Sequence, residues 1–219
     1  MKRRDIVAEL GYENESTRGD APSTNASYPQ GFIRYGVLDN VELDYIGPAY
    51  GITSGGGARE HGAFDSGVGA KYEFFHDESN VAGSDILYTV PTGSPGFSNG
   101  GASETLNLDA SHNVSSTFSV SGTIGLTSTP GTRLNGTNAR YAAWLPSLAA
   151  TEQFGARAQV YLEASDATRI RPDGGSQFAL DGGLQYLLSP QIEVDVETGR
   201  TVTDIARSRF IGFGFALRF

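Results

Sequence analysis

The chain has 219 residues, a net charge of −9, no cysteine, 29 glycines and only 38% hydrophobic residues. Disulfides and thiolate metal sites are therefore excluded, and the acidic balance argues against nucleic acid and against attraction to anionic lipid headgroups. No apolar run approaches the ~18 residues of a membrane helix. If the chain crosses a membrane it does so as a closed β-barrel, whose polar interior needs apolar side chains only on its outside. A chain of this length accommodates one all-β domain, and residues 1–219 are read as such.

Met1, Lys2, Arg3 and Arg4 resemble the basic start of an export signal. Asp5, Glu9 and Gly11 interrupt the apolar stretch that should follow, so no export signal is expected within the chain. About twelve segments then alternate in polarity at the period of a strand. Ile6, Ala8, Leu10 and Tyr12 alternate with Val7, Glu9, Gly11 and Glu13, and residues 14–30 read as a polar loop. Ile33, Tyr35 and Val37 oppose Arg34; after a tight turn, Val41, Leu43 and Tyr45 oppose Glu42 and Asp44. Residues 47–62, with three consecutive glycines, read as a second long loop.

Val68, Ala70, Tyr72 and Phe74 oppose Lys71 and Glu73. Strands follow around Ile86, Tyr88 and Val90 and around Leu106 and Leu108, the latter opposite Thr105, Asn107 and Asp109. The cleanest strand sets Phe118, Val120, Ile124 and Leu126 against Ser119, Ser121, Thr123 and Thr127. In the eighth, Ala139, Tyr141, Ala143 and Leu145 are assigned the outer face against Arg140 and Trp144, with a short link at 147–151. Phe154, Ala158, Val160 and Leu162 then oppose Gln153, Arg157, Gln159, Tyr161 and Glu163. Phe178, Leu180, Leu184, Tyr186 and Leu188 oppose Asp181, Gly183 and Gln185, and Ile192, Val194 and Val196 oppose Glu193, Asp195 and Glu197. A loop at 199–207 leads to the last strand, where Ile211, Phe213, Phe215, Leu217 and Phe219 share one face and Gly212, Gly214, Ala216 and Arg218 the other.

Short links alternate with longer ones, as in barrels with one short-turned and one long-looped rim. Nearly every strand also keeps its charges on one side: Glu9, Arg34, Glu42, Asp44, Lys71, Glu73, Arg157, Glu163, Asp181, Glu193, Asp195, Glu197 and Arg218. In a dry core each unpaired ion would cost several kcal/mol, whereas in a hydrated interior the cost is small. These thirteen are the candidate pore-lining residues, with lipid expected against the opposite face. Trp144, Tyr12, Tyr45, Tyr72, Tyr141 and Tyr186 are assigned to lipid or its interface.

No catalytic constellation emerges. Asp109 and His112, three apart on a strand, point to opposite faces, which is poor geometry for a triad. His61 and His76 fall in a loop and a turn, and no metal or cofactor site is expected.

Several phrases resemble the bacterial outer-membrane β-barrels grouped as the MetA-pathway phenol-degradation, or transporter, family: residues 34–44, 65–72, 87–93, 178–186 and 212–219, in the family's order. The resemblance implies a single antiparallel transmembrane barrel in the bacterial outer membrane, passing small, often aromatic, solutes and carrying no catalytic residues. An alternating last strand ending in an aromatic resembles the closing strand read by the barrel-assembly machinery, which gives Phe213, Phe215, Leu217 and Phe219 that role. A channel with an acidic-leaning interior is the expectation; a structural barrel with a plugged interior, or less favoured an outer-membrane hydrolase, are the alternatives.

Overall fold

The computed structural model of the protein describes residues 3–19, 21–204 and 206–219. Met1 and Lys2, the beginning of the basic start, lie outside these. The described chain contains fourteen β-strands and no helix: β1 (Ile6–Gly19), β2 (Ser23–Leu38), β3 (Val41–Ile46), β4 (Tyr50–Gly55), β5 (Ala58–Ala63), β6 (Ser66–His76), β7 (Asn80–Val90), β8 (Ser103–Asn113), β9 (Phe118–Thr132), β10 (Asn138–Phe154), β11 (Ala158–Ala167), β12 (Gln177–Ser189), β13 (Ile192–Thr203) and β14 (Ala206–Arg218).

Twelve of these form a closed antiparallel ring. From β6 to β14 each strand pairs with the next, β14 pairs with β1, and the ring returns through β2 and β3 to β6. Closure is made where Leu10 meets Phe215 and Tyr12 meets Phe213. Beyond that ladder the backbone N–H of Phe219 donates to the carbonyl of Ile6 at 2.9 Å. The remaining two strands, β4 and β5, continue β3 and β6 past short breaks at 47–49 and 64–65, and β4 pairs with the upper half of β2. The wall is therefore taller here than the expected strands implied.

Five expectations need correction. Residues 14–30 and 47–62 are mostly strand, and of the described residues in 199–207 all but Asp204 belong to β13 or β14. These segments are rich in Ser, Thr, Asn and Gly because they stand above the apolar band, where no greasy face is required. The link expected at 147–151 is instead mid-strand, with the turn at 155–157, so Arg157 sits in a rim turn. The faces of β10 are also inverted. Ala143 is only 3% exposed, whereas Trp144 is 54% exposed opposite outward Leu126, and Tyr141 turns inward to donate its hydroxyl proton to the carbonyl of Ile170.

Burial runs opposite to a soluble protein. Only Val7 and Ala143 are buried hydrophobics among the described residues, while Glu42 and Asp44 are each 8% exposed. Leu10, Leu43, Val68, Ile86, Ile124, Leu162, Leu180 and Phe213 all face out. Leaving one such side chain in water would forgo about 1.5–3 kcal/mol, so the band they form is built for lipid. An upper aromatic belt crosses the ring, with Tyr12 packed between Phe213 and Tyr28, and Tyr28 against Tyr50.

Candidate functional site

The inward face is polar, and it differs from one side of the ring to the other. Along β6 to β9 its groups are tied together. Asn107 donates to Asp85 at 2.9 Å, Thr123 donates to Asp109 at 2.7 Å, and Lys71 Nζ stands 3.8 Å from Asp109. Thr105 donates to Thr127 at 2.9 Å, and the hydroxyls of Ser103 and Thr129 are 2.7 Å apart.

Along β1, β2, β13 and β14 the face opens into cavities. One of about 450 Å³ begins at the Pro190 and Gln191 turn and is lined by Glu9, Arg34, Glu42, Glu193 and Arg218. A second, of about 560 Å³, shares Glu9, Arg34 and Glu193 and adds Asp195, Glu197 and Gln30. Gln30 and Phe32 carry the series into a third of about 430 Å³ beside Glu13, Phe64 and Asp65. Arg34 is the main counter-charge here, 3.2 Å from Glu9 and 3.9 Å from Glu42, with its guanidinium over the Phe32 ring.

Glycine makes this space. Asp195 and Glu197 lie flat over Gly214 and Gly212: a Cβ on Gly214 would sit 2.0 Å from a carboxylate oxygen of Asp195. Tyr161 likewise crosses Gly183, where a Cβ would come within 2.7 Å of its ring, and donates to Glu197 two strands away at 2.9 Å.

The far rim is partly covered. Phe97, from the loop at 91–102, packs on the inner face of β4 and β5 against Gly51 and Gly62 and meets Phe64 edge-on at 5.4 Å. Asp65 holds this loop by accepting from the N–H groups of Gly93 and Asn99, each at 2.9 Å. On the other side Arg171 donates to Asp204 and lies 3.2 Å from Asp173, which accepts from the N–H of Leu134 at 2.9 Å. The Arg171 hydrogen bond holds the Asp204 carboxyl below the usual carboxylate range.

Of the thirteen candidates, Glu9, Arg34, Glu42, Asp44, Lys71, Glu163, Asp181, Glu193, Asp195 and Glu197 take inward registers along the wall. Glu73 and Arg218 face in near the rim, and Arg157 lies in the rim turn. Glu13, Asp85 and Asp109 also point inward and were not among the candidates, although each falls on the polar side of an alternating strand. His112 is held by Asn80 on the face opposite Asp109. No group of His, Asp or Glu among the described residues is arranged to hold a metal ion.

Residues 3–219 match the family model described as "Putative MetA-pathway of phenol degradation". The chain belongs to that family. This member is similar in structure to an outer membrane channel from Pseudomonas putida F1, with a TM-score of 0.76 at 11% identity over 100% of this chain and 97% of that one. It is also similar to the NanC porin (TM-score 0.58, 12% identity, 94% and 98% covered) and to the CymD monoaromatic hydrocarbon channel (0.51, 13%, 100% and 88%). At these identities the likeness establishes the fold: an outer-membrane β-barrel of the kind found in channels and porins. No curated protein matches the sequence.

Proposed function

We propose that this family member is an outer-membrane channel for passive passage of small solutes, with an acidic-leaning lining that favours cations. The observation that carries the reading is the run of adjoining cavities, sharing lining residues, along β1, β2, β13 and β14. Its lining holds Glu9, Glu193, Asp195 and Glu197 against Arg34 and Arg218. Carboxylates facing a water-filled path raise the local concentration of cations. Inward rings at Phe32, Phe64 and Phe97 offer faces and edges on which an aromatic solute could pack, in keeping with the monoaromatic hydrocarbons that CymD's name assigns to it. The outward Phe213, Phe215 and Leu217 of β14, with Phe219 just past its end, are the residues we assign to recognition by the assembly machinery.

The test is conductance of refolded protein in a planar bilayer under a salt gradient. Steady current with a cation-selective reversal potential supports the reading; silence from demonstrably folded barrels overturns it. The covered far rim favours a second reading, a barrel closed by its loops. Releasing them with Asp65→Ala and Arg171→Gln distinguishes the two: current only in that variant supports the closed barrel.

A further inference from the structure

Outside the barrel, above the aromatic belt, four arginines gather on three adjacent strands. Arg18 of β1 stands directly opposite Arg207 of β14, and Arg209 of β14 directly opposite Arg200 of β13. All four share the outward face with Ile211 and Phe213 and are exposed. With Ser16 and Val202 they line a depression of about 420 Å³.

Like charges directly across a ladder repel and destabilise the pair. None of the four forms an ion pair with a carboxylate among the described residues. The chain has 25 acidic residues and 16 basic ones, so a patch holding a quarter of the cations with no paired acid among the described residues is a local reversal of its charge. Across the barrel the opposite choice is made. Outward Arg140 of β10 pairs with Glu104 of β8 and also donates to Ser128 Oγ at 2.8 Å and the carbonyl of Ala102 at 2.7 Å.

The height of the patch indicates what neutralises it. Arg209 lies four residues beyond Phe213, about 14 Å along the strand at ~3.4 Å per residue. That places the guanidinium groups just past the apolar band, at headgroup level on the rim away from the termini. Guanidinium groups bind phosphate oxygens in pairs of parallel hydrogen bonds, and Ile211, on the same face between Arg209 and Phe213, offers apolar surface for acyl chains.

We propose that Arg18, Arg200, Arg207 and Arg209 form a binding site for the phosphate groups of an outer-leaflet phosphoglycolipid. The local patch thus reverses what the chain-wide charge implied about anionic headgroups. This inference depends on the membrane orientation and not on conduction.

The test is native mass spectrometry of the full, refolded chain in detergent with three probes: a bisphosphorylated acyl-glucosamine disaccharide, the same lipid without phosphates, and inorganic phosphate. The phosphorylated lipid is expected to stay bound. The variant R18Q/R200Q/R207Q/R209Q weakens it at least about tenfold, the matching lysine variant, which keeps the charge without the paired bonds, falls between that and the unaltered chain, and R59Q/R133Q/R169Q leaves it unchanged. Heat-modifiable mobility confirms folding of each, and the lysine variant guards against loss through misfolding. Equal retention by the glutamine variant, equal binding of the lipid without phosphates, or no retention by the unaltered chain overturns the proposal. Displacement by an equal concentration of inorganic phosphate also overturns it, leaving a free-anion site.

Discussion

Carboxylates line both sides of the interior, but they sit in different company. Asp85 and Asp109 are held by Asn107, Thr123 and Lys71, whereas Asp195 and Glu193 face cavities over glycine and alanine. The first set joins one strand to the next, and the second leaves its charge available to whatever fills the space. One residue type therefore serves cohesion on one side and lining on the other, decided by what the neighbouring strand places beside it.

The largest effect calibrates the comparison on the outer face. Leu184→Arg, against lipid, is expected to cost about 2–4 kcal/mol, while Gln185→Arg on the inward face leaves the denaturant midpoint of refolded barrels nearly unchanged. Equal losses would mean that the two faces are misassigned. Next, Asp109→Leu removes the acceptor of Thr123 and the counter-charge of half-exposed Lys71, a loss of about 1–3 kcal/mol. The same change at Asp195 should stay within about 0.5 kcal/mol, and similar values at both positions would erase the distinction between the sides.

Gly183→Val probes the join between the two regions. Its Cβ would meet the Tyr161 ring at 2.7 Å and the carbonyl of Val196 at 2.8 Å, so about 1–3 kcal/mol of overpacking is expected, with a weakened Tyr161 to Glu197 bond visible in the tyrosine ultraviolet spectrum. Replacing Glu193, Asp195 and Glu197 together by Gln, Asn and Gln should barely alter stability yet move the reversal potential toward zero; Asp85→Asn should leave that potential in place.

The smallest effect concerns the rim. Asp204 has a lowered pKa in the folded chain, so its pairing with Arg171 is fully present above the ordinary aspartate value near ~4 and is lost as pH falls through the lower folded value. Amide exchange in residues 168–176 should accelerate over that acid range, and Arg171→Gln should abolish the dependence. Exchange that is insensitive to pH after correction for intrinsic rates would remove the tether.

Strands that cross lipid were legible in the sequence because lipid enforces alternation: β9, β12, β13 and β14 carry their faces as read. The upper parts of β1 and β2 and the whole of β4 and β5 were not, since strands standing in water need no apolar stripe. In β10, alanines at 139, 142, 143, 149 and 150 occupy both faces, which left the strand's outer face, marked in the structure by exposed Trp144 and Leu148, misassigned. Most of the charged interior was readable residue by residue. Its division into a bonded side and an open side depends on registers such as Asp109 opposite Thr123, which no single strand records.

Where the wall is lined by Gly11, Gly183, Gly212 and Gly214, the room inside is set by absent side chains, while the charges lie folded against the wall. A single nucleotide change converts a glycine codon to alanine, valine, serine or aspartate. Each such step would push a neighbouring side chain, Gln30, Tyr161, Glu197 or Asp195, toward the axis without altering the outer surface. The room inside can therefore change in small increments, independently of the residues that seat the barrel in its membrane.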